Sequence, residues 1–206
     1  MPGDDFIRAF IAINLPGEVR AKLVRQHRSL KVALPGDGIR WTPPGQIHLT
    51  LKFLGDVPSS SVDDLRAAVE SGCRGTAPFS LRARGLGVFP GAQRPRVLWA
   101  GVEGELDALR QLQERIEIET GRWREREARA FQPHLTLARI KILPPGRALA
   151  LRKKLAAAAD FGAWRVERVD LMRSHLSASG VTHEALAGFK LREGPKISVS
   201  VPLGLC

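Results

Sequence analysis

The sequence predicts an α+β fold made of two matched halves, with two antiparallel sheets facing each other and helices flanking them. Three observations carry this expectation. The phrase His48-Leu49-Thr50-Leu51 returns far downstream as His134-Leu135-Thr136-Leu137. Short strand-type and helix-type segments alternate, yet hairpin-like connections separate several of them. The breaker Pro43-Pro44-Gly45 ahead of the first phrase is echoed by Pro144-Pro145-Gly146 after the second. With no tandem period and no low-complexity linker, the repeat reads as a duplication rather than a solenoid.

The first half opens with Phe6 to Leu15, a short apolar run of strand type that Pro16 and Gly17 end. Glu18 to Leu30 follows with helical spacing of Val19, Leu23 and Leu30. Pro35-Gly36-Asp37-Gly38 is a turn, and the first His strand comes after Pro43-Pro44-Gly45. There, alternation puts Ile47, Leu49, Leu51 and Phe53 on an apolar face and Gln46, His48, Thr50 and Lys52 on a polar one. Ser59-Ser60-Ser61 signals the start of a helix over Val62 to Glu70. Strands are predicted over Phe79 to Phe89 and Val97 to Val102, joined by the basic loop Pro90 to Arg96.

The second half starts with the clearest helix, Glu105 to Thr120, striped by Leu106, Leu109, Leu112 and Ile116. The charged run Arg122 to Arg129 precedes the second His strand, Phe131 to Ile140. A helix over about residues 147–159 comes next, then strands over Trp164 to His175 and His183 to Leu191. Ile197 to Val201 could add an edge strand.

Composition narrows the function classes. The 206 residues suit one unit of two closely packed lobes, and 44% hydrophobic with 26% charged residues is ordinary for a soluble globular chain. No apolar run approaches the roughly 20 residues of a membrane helix, and the start Met1-Pro2-Gly3-Asp4-Asp5 lacks a basic leader. A cytoplasmic protein that does not engage membranes is expected. Cys73 and Cys206 show no metal-ligand spacing, which argues against a disulfide framework or a cysteine-based zinc site. A net charge of +11 and a pI near 10.7 favour an anionic partner, nucleic acid first.

The repeated phrase carries the chemistry. Imidazole is the side chain best suited to giving or taking a proton near neutral pH, so His48 and His134 facing each other across a cleft can act as acid and base. Thr50 and Thr136, two residues on and on the same face, offer hydroxyls to a phosphate. Arg139 is the candidate for stabilising developing negative charge. Strict alternation turns it away from His134, so it reaches the site only if the strand ends, twists or bulges near Ala138. Neither motif has an acidic neighbour or His-Glu-x-x-His spacing, which makes a zinc site a poor reading of the two histidines. No metal and no cofactor is needed, and a phosphodiester with a strained ring, such as a 2′,3′-cyclic phosphate, suits the set.

These residues resemble the RNA 2′,3′-cyclic phosphodiesterases, also called 2′-5′ RNA ligases, of the 2H phosphoesterase superfamily. The resemblance runs through Arg8 to Ile13, Arg40 to Pro44, His48 to Gly55, Arg94 to Trp99, Pro133 to Arg139 and Leu171 to Ser174. It implies a bilobal fold, a single unit over residues 1–206 with two duplicated, intertwined lobes and the active site in the groove between their sheets. It further implies metal-free hydrolysis of RNA 2′,3′-cyclic ends to 2′-phosphates, run in reverse as 2′-5′ ligation. His48 would protonate the 3′ leaving oxygen and His134 would activate water, with Thr50, Thr136 and Arg139 holding the phosphate; the residues alone do not say which histidine plays which part. An RNA bearing a cyclic phosphate end is the implied partner, and the protein is expected to be a monomer. Two positions depart from the pattern: Gln132 replaces a basic residue, and His183 stands where an aromatic residue is expected.

Other residues read more plainly. His27, in a basic helix, is expected at the surface, and His175 and His183 are expected to be structural, with lining of the groove as the alternative for either. Phe10 and Trp41 suit the core or the groove wall, where they could stack a terminal base. The Arg122–Arg129 run reads as a solvated loop, while the Arg94/Arg96 loop is the better candidate for RNA backbone. Two alternatives to RNA hydrolysis stand: a small cyclic phosphate such as an ADP-ribose derivative, and a non-catalytic RNA- or nucleotide-binding module.

Overall fold

The computed structural model of the chain describes residues 5–143, 146–177 and 180–193, so Pro144, Pro145, Cys206 and the edge strand expected at 197–201 lie outside the described residues. Strand β1 (Phe6–Asn14) leads into helix α1 (Gly17–Ala33), the short strand β2 (Ile39–Trp41) and the first His strand, β3 (His48–Pro58). Helix α2 (Val62–Cys73), strands β4 (Phe79–Phe89) and β5 (Val97–Gly104) and helix α3 (Leu106–Glu119) follow. The second His strand is β6 (His134–Ile140); helix α4 (Ala148–Ala156) and strands β7 (Asp160–Val166), β8 (Arg168–Ser177) and β9 (Gly180–Lys190) complete the fold. The serines before α2 form a short 3-10 turn, and Ser61 makes no side-chain capping bond.

All the strand pairings are antiparallel, in the order β7-β4-β5-β6-β3-β1-β8-β9 with β2 also on β6. The two expected sheets therefore meet edge to edge, as two four-stranded halves joined where β3 pairs with β6 at Leu49 and Leu135. Both leucines are fully buried. Because the paired residues are the same letter of the repeated phrase and the strands run antiparallel, a local two-fold relates the two motifs. Antiparallel register then sets His48 across from Thr136 and Thr50 across from His134 on one face, with the two histidines on a diagonal.

The halves of the structure are not the halves of the sequence. α1 leaves β1 but packs on β7, beside α4 on β4. α2 and α3 pack against each other, α2 touching β8 and β9 and α3 touching β3. The segment expected as one strand over Trp164 to His175 is a crossing between the halves. β7 pairs with β4 and β8 with β1, and the strand is interrupted at Glu167, whose carbonyl accepts a bond from the Leu191 amide at 2.8 Å. No Gly or Pro marks that interruption, so the apolar pattern ran through it.

The main core joins Ile7, Ile11 and Ile13 of β1, Leu23 and Leu30 of α1, Leu65 and Val69 of α2, and Leu109, Leu112 and Ile116 of α3. Fully burying each such side chain stabilises by about 1.5–3 kcal/mol. His27, expected at the surface, is 2% exposed. It falls four residues after Leu23 on the buried stripe of α1, and its ring meets the Trp41 ring edge-on at 5.0 Å. Burial and the Lys31 charge hold it below the ordinary histidine range. Cys73 is a buried free thiol pushed up to about 12 by burial, which keeps it protonated and unreactive.

Candidate active site

Both His strands carry a β-bulge at the same place in the repeated phrase. In β3 the register against β1 skips Leu51, with Ala12 opposite Thr50 and Ile11 opposite Lys52. In β6 the register against β5 skips Leu137, with Trp99 opposite Thr136 and Leu98 opposite Ala138. An extra residue shifts the alternation by one, so everything beyond it changes face. Burial follows suit: buried Leu51 and Lys52 precede exposed Phe53, and buried Leu137 and Ala138 precede exposed Arg139.

Arg139 thereby reaches the groove through a bulge of the kind its position required, and it lines the cavities on both sides of the motifs. Phe53, expected on the apolar face, is corrected to the groove, where it is 53% exposed and borders the same two cavities. Lys52 is corrected in the opposite sense. It is carried toward α3, where its Nζ pairs with Glu117 Oε2 at 2.6 Å and Gln113 donates to Glu117 Oε1 at 2.9 Å. The motifs are thus geometrically alike and chemically unequal, with an aromatic ring at the fifth position after His48 and a guanidinium at the fifth after His134.

One cavity, of about 600 Å³, brings His48 together with Thr50, Thr136, Arg139, Phe10 and Trp41. The other, of about 360 Å³, holds His134 with the same two threonines and Arg139. The seven residues singled out in the sequence therefore line two adjoining cavities that have Thr50, Phe53, Thr136 and Arg139 as their common border. His48 stacks on Phe10 with centroids 4.8 Å apart. His134 meets Phe89 edge-on at 5.1 Å.

The electrostatics of the two rings are parallel. Burial lowers His48 to about 4, helped by His183 and Arg20 and opposed by the Gln46 carbonyl. Burial also lowers His134, opposed by the Gln132 carbonyl and helped by Arg139. The Gln132 oxygen lies 2.7 Å from His134 Nδ1. A carbonyl only accepts, so Nδ1 carries the hydrogen and Nε2 of the neutral ring is left basic. Among the described residues, no group of three His, Cys, Asp or Glu side chains is placed to hold a metal ion.

His183, expected to be structural, lines the His48 side of the groove. Its ring contacts Phe10 at 4.8 Å and His48 at 5.5 Å, while Ser174 Oγ lies 3.3 Å from its Nδ1. Gln46 donates to the Val181 carbonyl, tying the residue two before His48 to the residue two before His183. Pairing of β8 with β9 across the sheet makes this neighbourhood, which one strand's pattern does not contain. His175 pairs instead with Glu184 at 2.8 Å. Neither Arg94 nor Arg96 borders the two cavities, and the Arg96 guanidinium donates to the Lys141 carbonyl at 2.8 Å. Arg126 and Arg129 of the exposed charged run do border the His134 side.

Known proteins resemble this chain in sequence and fold. The sequence profile of the 2′-5′ RNA ligase superfamily matches residues 17–178. A Thermus thermophilus protein named RNA 2′,3′-cyclic phosphodiesterase is 37% identical over 192 residues, which cover 90% of this chain and 91% of that one. A Methanothermobacter thermautotrophicus protein of the same name is 32% identical over 185 residues, covering 90% and 99%. The crystal structure of the Thermus thermophilus protein TT0787 superposes with a TM-score of 0.75 at 36% identity, over 91% of this chain and 99% of that one. Escherichia coli LigT in its apo form shares the fold, with a TM-score of 0.73 at 22% identity over 92% and 100%. A profile match over most of the chain, relatives above 30% identity along almost their whole length, and a groove carrying both histidine motifs converge: the chain belongs to the 2′-5′ RNA ligase superfamily.

Proposed function

We propose that the chain hydrolyses RNA 2′,3′-cyclic phosphate ends to 2′-phosphomonoesters by proton transfer between two histidines, with no metal. The observation that supports this best is the pairing of the two motifs, which puts two imidazoles and two hydroxyls on one groove face with Arg139. His134 Nε2 takes a proton from water as its oxygen attacks phosphorus. The P–O3′ bond breaks in line with that attack, and the departing oxygen takes the proton held by His48. The products are a 2′-phosphate, a 3′-hydroxyl, a protonated His134 and a neutral His48. Thr50, Thr136 and Arg139 hold the phosphate oxygens as donors fixed in place before the charge develops. The cyclic phosphate's own negative charge beside His48 offsets the burial that keeps the free imidazole neutral. With a 5′-hydroxyl in place of water the same atoms run backwards as 2′-5′ ligation.

The names borne by the Thermus and Methanothermobacter relatives support this substrate. The test is a short RNA ending in a 2′,3′-cyclic phosphate, incubated with the protein in excess EDTA, with 2′- and 3′-phosphate products resolved. Conversion to the 2′-phosphate is expected, and His48→Ala or His134→Ala should each lower kcat by about 10²–10⁴-fold. Turnover that vanishes with EDTA, or that survives both substitutions, would overturn the mechanism.

A further inference from the structure

The two cavities flanking the histidine pair differ in charge. The His134 side mixes its cations with Glu117, Glu125 and Glu127. The His48 side is bordered by Arg8, Arg40 and Arg139 and by no carboxylate among the described residues. Of those arginines, Arg139 sits between the motifs, where the reacting phosphate belongs. Arg8 and Arg40 are left over. Both are exposed, and neither forms an ion pair among the described residues.

Their placement is specific. Arg8 lies two residues before Phe10 on β1, and both border the cavity. Arg40 lies next to Trp41 on β2, directly opposite Arg139 on β6. Like charges facing each other across a strand pair cost stability unless an anion lies between or beside them. Phe10, Trp41 and Phe53 border the same cavity, and the exposed Phe53 ring suits a nucleoside. The cavity, about 600 Å³, is of the size that takes a nucleotide rather than a bare phosphate.

We propose that Arg8 and Arg40 bind the phosphodiester on the 5′ side of the terminal nucleotide, so that the groove selects the 3′ end of an RNA strand over a free nucleoside 2′,3′-cyclic phosphate. This rests on the hydrolase reading above and adds a second anion site to it. Guanidinium is the group for the task, since its fork engages phosphate oxygens with charge-assisted bonds.

The test compares three substrates: adenosine 2′,3′-cyclic phosphate, the dinucleotide ApA ending in a 2′,3′-cyclic phosphate, and the same dinucleotide with a neutral methylphosphonate linkage. The dinucleotides have the same bases and nearly the same size, so their ratio isolates the linking charge. kcat/KM for the charged dinucleotide should exceed that for the neutral one by about tenfold or more, and the ratio should shrink as salt rises. In Arg8→Gln and Arg40→Gln, whose side chains lie outside the core, the ratio should fall toward one with no loss of thermal stability, and Arg40→Gln, which relieves the repulsion with Arg139, should melt no lower than the parent. Turnover of all three substrates with equal kcat/KM for the two dinucleotides would overturn the second anion site and leave the hydrolase reading standing. Turnover of none would overturn the hydrolase reading and this inference with it.

Discussion

In the mechanism proposed above, the histidine that delivers a proton works against its own burial in this groove. His48 is held at about 4 and His134 is also lowered, so both rings are neutral at pH 7 in the free protein. The active form of such a pair carries one proton shared between two sites, and that form is most populated between the two lowered pKa values. kcat/KM, which reports the free protein, should therefore peak below pH 6.5 and fall as pH rises through neutrality. kcat, which reports the complex, should hold to higher pH, because the bound phosphate stabilises the proton. His183 is the second cause of the low His48 value. In His183→Gln that contribution is gone, and the limb set by His48 should move upward. Rate profiles from pH 4 to 9 decide this; a kcat/KM that is flat from pH 5 to 8, or a His183→Gln profile identical to the parent, would count against it. At this scale the sequence was informative about identity and poor about company. The repeat pointed to His48 and His134 directly, whereas His183 is beside His48 only because β9 folds back along β8.

Elements explain why Arg139 and Phe53 point where they do. Period-two alternation reads a strand as regular, but register is set by the partner strand, and both bulges are written in the pairing rather than in the letters. The His, Thr and Leu positions before each bulge were therefore legible, and the two after it were inverted or left conditional. The bulge in β3 has an energetic consequence as well, since it commits Lys52 to a buried pair with Glu117. A buried pair contributes little net, yet breaking one half strands a charge. Lys52→Met should lower unfolding free energy in urea by about 3–5 kcal/mol, whereas Lys52→Met with Glu117→Leu should recover most of that loss. Equal destabilisation of the single and double variants would show that the pair is not what holds β3 to α3.

The whole molecule gathers four histidines whose protonation folding opposes: His27, His48, His134 and His183 are all lowered, with burial the largest cause for each. An unfolded chain protonates them near 6.5, so below that pH the unfolded state binds more protons and gains. Stability should be fully present above about pH 6.5 and fall as pH drops toward 4, read as a declining melting temperature. The sign would be wrong if melting rose on acidification. α+β class, antiparallel strands and duplicated motifs could be read from the chain because each is a local pattern. The crossing of α1 onto β7 could not, because apolar faces say that a helix must be covered and not which strand covers it. The local two-fold through Leu49 and Leu135 has one more consequence. Five-coordinate phosphorus has two apical oxygens, interchanged by a two-fold operation, and these are the incoming and outgoing atoms of a displacement. A protein whose halves interchange in the same way offers each apex the same fitting, so the path out is the path in viewed from the other lobe. Under the proposed chemistry, direction is then decided by what the groove is given, water or a sugar hydroxyl, and by the inequalities of the two sides, Phe53 against Arg139 and a carboxylate-bearing border against one of arginines.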